Sequence, residues 1–235
     1  MARAGPGLTV VRVIVSGSPL EAAELAASAI ARELRVAVET RGSATLALSG
    51  GSTPAPMVSR LSACDVPWAA VQLLQVDERQ VSADDPDRNW SMFRPLAEVI
   101  APENRHPMPV EAADADVRYS ELLQSIAGNP PQLDVVHLGL GADGHTASLV
   151  PGDLVVDIDD RSVSWVDPYR GHRRLTLTLP VLRNARCQIW LVAGADKADA
   201  VRELTSGQGS TPAAKVLNRD TATLFIDAAA STEDS

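Results

Sequence analysis

Residues 45–54 read Thr45-Leu46-Ala47-Leu48-Ser49-Gly50-Gly51-Ser52-Thr53-Pro54. A short apolar strand over residues 45–48 runs directly into a glycine pair flanked by hydroxyls. Thr53 followed by Pro54 then predicts a helix that Thr53 caps and Pro54 starts. A strand passing through a tight glycine turn into a helix is the repeating half of an α/β sheet.

Working outward, the same alternation recurs on both sides. Residues 8–15 are apolar and β-branched apart from Arg12, and predict a strand. Ser18-Pro19-Leu20-Glu21 is a capping box with Pro at the first helical position, opening an Ala-rich helix to about residue 40 that Gly42 stops. On the other side, residues 71–76 predict a strand ending at Asp77. Residues 89–100 predict a helix with a break or kink at Pro95, and residues 111–126 another helix. Residues 133–140, 174–179, 188–193 and 223–226 predict strands, and residues 196–204 a helix. Residues 228–235 predict a frayed acidic tail. The near-continuous apolar strands are those of a parallel sheet covered on both faces. The fold class expected is therefore α/β, a mostly parallel sheet flanked by helices. It forms a single domain over residues 1–227, and its ligand loops lie at the carboxyl ends of the strands.

With 235 residues and 45% hydrophobic content, the chain is long enough for a full core. A net charge of −9 disfavours non-specific contact with nucleic acid, while leaving room for a small anion at a local cationic site. No basic leader followed by a long apolar run and no 18-residue apolar stretch occurs, so neither a signal peptide nor a membrane span is expected, and the chain is placed in the cytoplasm. Cys64 and Cys187 lack any C-x-x-C or His spacing and are read as buried reduced thiols.

Four loops carry chemistry. Ser49, Gly50, Gly51, Ser52 and Thr53 combine close backbone approach, a following helix N-terminus and hydroxyl donors, which is a phosphate cradle in physical terms. It lacks the Gly-Lys-Ser/Thr ending of a Walker loop. Val76-Asp77-Glu78-Arg79 places three charges directly after an apolar strand. Asp84, Asp85, Asp87 and Arg88, which follow, read as solvated surface without a calcium-loop spacing. Gly139-Leu140-Gly141-Ala142-Asp143-Gly144-His145 matches the G-x-G-x-x-G spacing of a dinucleotide turn, but Pro151-Gly152 cuts the required helix short. The informative pair there is Asp143 and His145, because imidazole is the side chain best suited to move protons near neutrality. His137, inside a strand, reads as packed core, and His106 and His172 as surface loop. The fourth feature is cationic: Arg170, Arg173, Arg174 and, after Gly194, Lys197.

The segments LALSGGSTPAPM, VDERQV with the downstream RNW, LGLGADGHTASLVPG, RRLTLTLPVL and the Gly194/Lys197 pair occur in that order. Together they resemble the 6-phosphogluconolactonases of the glucosamine-6-phosphate isomerase/6-phosphogluconolactonase superfamily, over residues 46–197. The resemblance implies a Rossmann-like α/β fold without a dinucleotide, and hydrolysis of 6-phospho-D-glucono-1,5-lactone to 6-phosphogluconate, in the oxidative branch of the pentose phosphate pathway. It implies a phosphate on residues 49–53 with Lys197 and Arg174 as cations, Arg173 competing for the latter position. His145 matches the family's water-activating base, and Asp77, Arg79 and Asp143 its polar pocket. Either aspartate is a candidate to orient the imidazole or the water, and Arg79 to face the oxyanion or a sugar hydroxyl. The related deaminase/isomerases carry Glu where this chain has Val150 and Tyr where it has Arg79, and both differences favour the lactonase. A non-catalytic sugar-phosphate sensor and a nucleotide-dependent oxidoreductase are the remaining alternatives. The lactonase reading implies no organic cofactor and no metal. The partner expected is a small sugar phosphate, without nucleic acid or membrane, and the chain is expected to be a monomer or weak homo-oligomer.

Overall fold

The structure, a computed structural model, describes residues 10–231. The first strand, β1 (Arg12–Ser16), begins later than its apolar run, and Leu8 and Thr9 lie outside the described residues. Helix α1 (Pro19–Arg41) is capped as its sequence requires, with Ser18 Oγ accepting from the Glu21 N–H at 3.2 Å. The returning bond of the box goes one residue early, from the Gly17 N–H to Glu21 Oε2 at 2.8 Å. Gly42 ends the helix in the left-handed conformation (φ 79°). Strand β2 (Ala44–Leu48) then leads through the glycine pair into α2 (Ala55–Ser62). Thr53 does not cap that helix: Pro54 occupies the capping position and no side chain bonds the first turn.

The expected strand at 71–76 is two strands in two sheets. Strand β3 (Val71–Gln75) stops where Val76 donates its N–H to Leu48 O while its carbonyl accepts from Leu177 N–H. Beyond it, β4 (Asp77–Arg79) joins a different sheet. Residues 89–100 form a 3-10 turn over Asn89–Phe93 and then α3 (Arg94–Val99). Pro95 sits in the first turn of α3, where its missing N–H is harmless, so it does not kink a longer helix. There follow β5 (Arg105–His106) and α4 (Ala115–Ala127), whose start is delayed by turns at Pro109–Ala112 and Ala112–Ala115. Next come β6 (Val135–Leu138), β7 (Val163–Tyr169), β8 (His172–Leu177), α5 (Leu179–Arg183) and β9 (Cys187–Val192). Last are α6 (Ala198–Ser206), α7 (Pro212–Val216) and β10 (Ala222–Asp227). Strand β7 is absent from the sequence reading because Asp167-Pro168 interrupts it. The structure absorbs that pair as an irregularity in register between Val166 and Tyr169. The short helices α5 and α7 were also missed. Of the tail expected over residues 228–235, Ala230 is fully buried and its N–H donates to Asp227, and residues 232–235 lie outside the described residues.

Seven strands form one parallel sheet in the order β1-β10-β9-β6-β2-β3-β5. Alternate residues feed two cores. Leu46, Leu48, Val135, Ile189 and Leu191 pack under α1 and α2, while Ala47, Val136, Leu138, Trp190 and Val192 face α4, α6 and α7. The order reverses between β2 and β6, so the loops leaving these two strands part and open a crevice. A three-stranded antiparallel sheet, β4-β8-β7, stands beside it.

One buried charge holds the joint between the sheets. Glu78 has no solvent exposure; its carboxylate accepts from four donors, Gln75 Nε2 (2.7 Å) and the N–H groups of Arg79 (2.8 Å), Asn89 (2.8 Å) and Trp90 (2.9 Å), and forms an ion pair with Arg88 Nε at 3.2 Å. Removing one partner of such a cluster leaves buried donors unsatisfied. Glu78→Gln should therefore lower stability by about 3 kcal/mol, as for a broken buried ion pair. Chemical denaturation of wild type and variant measures it, and a loss within experimental error would show that the cluster is dispensable.

Candidate active site

The loops at the carboxyl ends of β2, β3, β6 and β9 converge on a cleft of about 380 Å³. Its lining includes Ser49, Gly50, Gly51, Ser52, Thr53, Asp77, Arg79, His145, Arg174 and Lys197, ten of the eleven residues singled out from the sequence. The eleventh, Asp143, stands behind His145 and reaches the cleft through it.

On one side lies the glycine turn after β2. The N–H groups of residues 50–53 have no protein acceptor among the described residues, and Gly51 is left-handed at φ 112°. A row of such free N–H groups ahead of a helix is an anion-binding nest. The hydroxyls divide: Ser52 and Thr53 are exposed, whereas Ser49 is buried and donates to the His137 carbonyl at 3.0 Å. Ser49 thus ties β2 to β6. Across from them, Gly194 (φ 103°) turns the chain after β9. Its N–H is held by Asp227 Oδ1 at 3.0 Å, which sets Lys197 at the cleft wall with Asp196 3.0 Å from its Nζ.

The small sheet supplies the other cations. In β4 Glu78 points to the core, so Asp77 and Arg79 point the opposite way. Arg79 is the direct antiparallel neighbour of Arg174. Like charges so placed repel unless something anionic separates them. Asp77, 4% exposed, approaches Arg174 at 3.8 Å and accepts from Ser148 Oγ at 2.6 Å. The Nε atoms of both arginines are buried without a partner. Burial lowers the pKa of Arg174, with Asp77 working in the other direction. Strand alternation also separates the two competing arginines: Arg174 faces the cleft, while Arg173 is exposed and lies 4.2 Å over the Trp165 ring.

The loop after β6 carries the candidate dyad, His145 and Asp143. His145 Nδ1 lies 2.5 Å from Asp143 Oδ1, which also accepts the His145 backbone N–H at 3.2 Å. Nδ1 is thereby assigned as the protonated nitrogen, leaving Nε2 with a free lone pair. Burial acts to raise the Asp143 pKa, but bonds from the His145 ring and N–H and from the Tyr169 hydroxyl prevail and bring it down to about 2. Two glycines are sterically required. A methyl on Gly141 would overlap the His145 ring and the Asp143 carboxylate, and Gly144 is left-handed (φ 80°) and pressed against Thr211. No helix follows this loop; a Thr146–Leu149 bridge closes it instead.

Several sequence expectations change. Asp87 is exposed, as expected of solvated surface, yet it also lines the cleft: it lies 3.0 Å from His172, a half-buried residue of β8 rather than of a loop, and accepts from Arg79 at 3.1 Å. Arg88 is buried on Glu78. His106 belongs to β5 and bonds Gln72 at 2.6 Å. His137 is packed in its strand at 1% exposure with both ring nitrogens unpartnered, and burial lowers its pKa to about 3. Cys64 and Cys187 are free and half-buried, and burial raises the Cys187 thiol to about 12. Val150 is half-buried and does not line the cleft. Tyr169 was missed, since neither glycine nor a motif marks it; Asn89 stands in the RNW segment without an assigned role, and Asp87 was read as surface alone. Among the described residues no group of His, Cys, Asp and Glu has the arrangement of a metal site, and no helix is long and apolar enough to cross a membrane.

The family model for glucosamine-6-phosphate isomerases/6-phosphogluconolactonase matches residues 18–225. A 6-phosphogluconolactonase of Synechocystis sp. is 41% identical over 191 residues, 77% of this chain and 79% of that protein. One from Mycobacterium tuberculosis is 37% identical over 211 residues, 81% and 85% of the two chains. Among solved structures, 6-phosphogluconolactonase from Trypanosoma cruzi superposes with a TM-score of 0.86 at 26% identity, covering 94% of this chain and 96% of that one. A match over most of the sheet and all four site loops, with relatives of this identity and coverage, settles the lineage: the chain belongs to the glucosamine-6-phosphate isomerase/6-phosphogluconolactonase family.

Proposed function

We propose that the protein hydrolyses 6-phospho-D-glucono-1,5-lactone to 6-phosphogluconate, with His145 activating the water. The observation that carries this reading is the presence, in one cleft, of an anion nest with nearby cations and a His–Asp dyad whose Nε2 is free. The names of the relatives support the choice of substrate. The phosphate takes the N–H groups of residues 50–53 together with Lys197 and Arg174, while Ser49, committed to the His137 carbonyl, holds the turn in place. Its negative charge also relieves the repulsion between Arg174 and Arg79. His145 Nε2 removes a proton from water as the water oxygen attacks the lactone carbonyl. Asp143 keeps the imidazole in the required tautomer and stabilises the imidazolium. Arg79 faces the developing oxyanion, with Asp77 holding the arginine pair in place. When the tetrahedral intermediate collapses, the bond between the carbonyl carbon and the ring oxygen breaks, and the proton on His145 passes to that oxygen. No group on the enzyme becomes covalently attached.

Three outcomes test the reading. His145→Gln should leave fold and product affinity intact while kcat falls by about 10²–10⁴-fold, the span of a positioned proton carrier. Single-turnover hydrolysis that stays near the wild-type rate would remove His145 from the mechanism. Lys197→Ala should raise KM for the phosphorylated lactone by roughly 10- to 100-fold with little change in kcat, as for loss of a charge-assisted contact made equally in ground and transition states. An equal kcat/KM of the wild type for glucono-δ-lactone and its 6-phosphate would contradict a phosphate site here. Asp143, whose folded pKa lies below its ordinary 3.8, contributes stability above that value and loses it as pH falls through about 2. The Tm difference between wild type and Asp143→Asn should be constant from about pH 5 to about pH 8 and shrink below about pH 4. A difference that grows on acidification would show that the carboxylate is not charge-stabilised.

A further inference from the structure

The dyad has a third member that no glycine motif marks. Strands β7 and β8 meet in a two-residue turn, Arg170-Gly171, with Tyr169 and His172 as the last register pair. Both turn residues are left-handed, φ 50° and 86°. Two positive φ values in sequence give the tight hairpin turn that matches strand twist, and the first of them falls on an arginine, a residue that rarely adopts it. The turn delivers Tyr169 to the rear of the dyad. Its hydroxyl donates to Asp143 Oδ2 at 2.9 Å, while Asp143 Oδ1 serves His145. Its ring meets the His145 ring edge-on at 5.5 Å, and the guanidinium carbons of Arg170 and Arg174 stand 5.1 Å and 5.6 Å from its centroid. Burial and the Asp143 charge both raise the Tyr169 pKa, so the hydroxyl keeps its proton and remains a donor.

Asp143 is well exposed, with 41% of its side chain open to solvent, and a carboxylate there that is bonded through one oxygen is free to rotate. With a donor on each oxygen it is fixed in plane, and Oδ1 stays on the line to His145 Nδ1. We propose that Tyr169 is a positioning residue for the reaction: through Asp143 Oδ2 it holds the carboxylate, and thereby the imidazole, in the orientation that aims Nε2 at the attacking water. This rests on the His145 mechanism proposed above. The tyrosine touches neither water nor lactone in this role.

Tyr169→Phe deletes the hydroxyl and keeps the ring against His145 and the two arginines. It should lower kcat by about tenfold, the lower end of what partners behind a metal-bound histidine carry, and leave KM within about twofold. A merely structural role of the hairpin would instead raise KM, because Arg174 lies on the same strand. In the Asp143→Asn background the same change should matter less than about twofold, since its path runs through the carboxylate. In proton NMR, the downfield signal of the His145 Nδ1–H should shift in Tyr169→Phe. An unchanged kcat, an undiminished effect in the Asp143→Asn background, or an unmoved resonance would each overturn the role of Tyr169. His145→Gln, measured alongside, separates the two levels. If it lowers kcat by about 10²-fold or more while Tyr169→Phe leaves kcat unchanged, the dyad stands and the tyrosine falls. If it retains turnover, both fall.

Discussion

The carboxylate of Glu78 is closed off from solvent, bonded by four donors drawn from strands β3 and β4 and the 3-10 turn at Asn89, and paired with Arg88 from the loop before that turn. Strand β3 belongs to the parallel sheet and β4 to the antiparallel one, so the chain changes sheets within one residue, at Val76. A turn that tight has no helix or hairpin to define it, and the buried charge takes that part. With Glu78 committed inward, the pleat presents Asp77 and Arg79 outward into the cleft. The same carboxylate fixes Asn89, whose side chain abuts Gly50, so the glycine turn and the polar wall are set against each other through one residue.

Around that joint the cleft gathers charge against the average of the molecule. The chain carries −9 overall, yet Arg79, Arg170, Arg174 and Lys197 face one small volume. Free N–H groups of the glycine turn add to their field. A local field of this kind acts over a few ångströms, where net charge has little influence, and the acidic exterior restricts which anions approach. Asp87, bridging Arg79 and His172, supplies a replaceable counter-charge within the cleft.

Much of this was legible in the residues and part of it was not. The apolar runs at 45–48, 71–76, 133–140 and 188–193 appear as parallel strands because each is buried on both faces, leaving little local ambiguity. Glycines and caps located Gly42, residues 49–53 and the His145 loop, since backbone geometry there admits few alternatives. What escaped was non-local. Strand β7 carries a proline, and its partner β8 pairs with a strand about a hundred residues earlier. Glu78, Arg88 and Asp87 look alike in a charged stretch, and only the fold sends the first two inward and the third to the cleft. Tyr169 gained its place through a hairpin whose turn, Arg170-Gly171, lacks the usual Asn-Gly signature. Thr53 and Pro95 show the opposite error, a local rule applied where the helix began one or several residues away.

The Arg170-Gly171 turn lies beyond the last register pair of β7 and β8 and joins no strand of the parallel sheet. Residues placed there can be exchanged, or the turn lengthened, without disturbing either hydrophobic core. The glycine turn at 50–51 and the loop at 141–145 have no such latitude, because their backbones touch Asn89, His145 and Thr211. One rim of the cleft is therefore fixed by the architecture while the other is open to drift. Over evolutionary time, divergence among descendants of this chain would accumulate at residues 170 and 171, reshaping that rim of the cleft while Tyr169 and the two glycine loops stay in place.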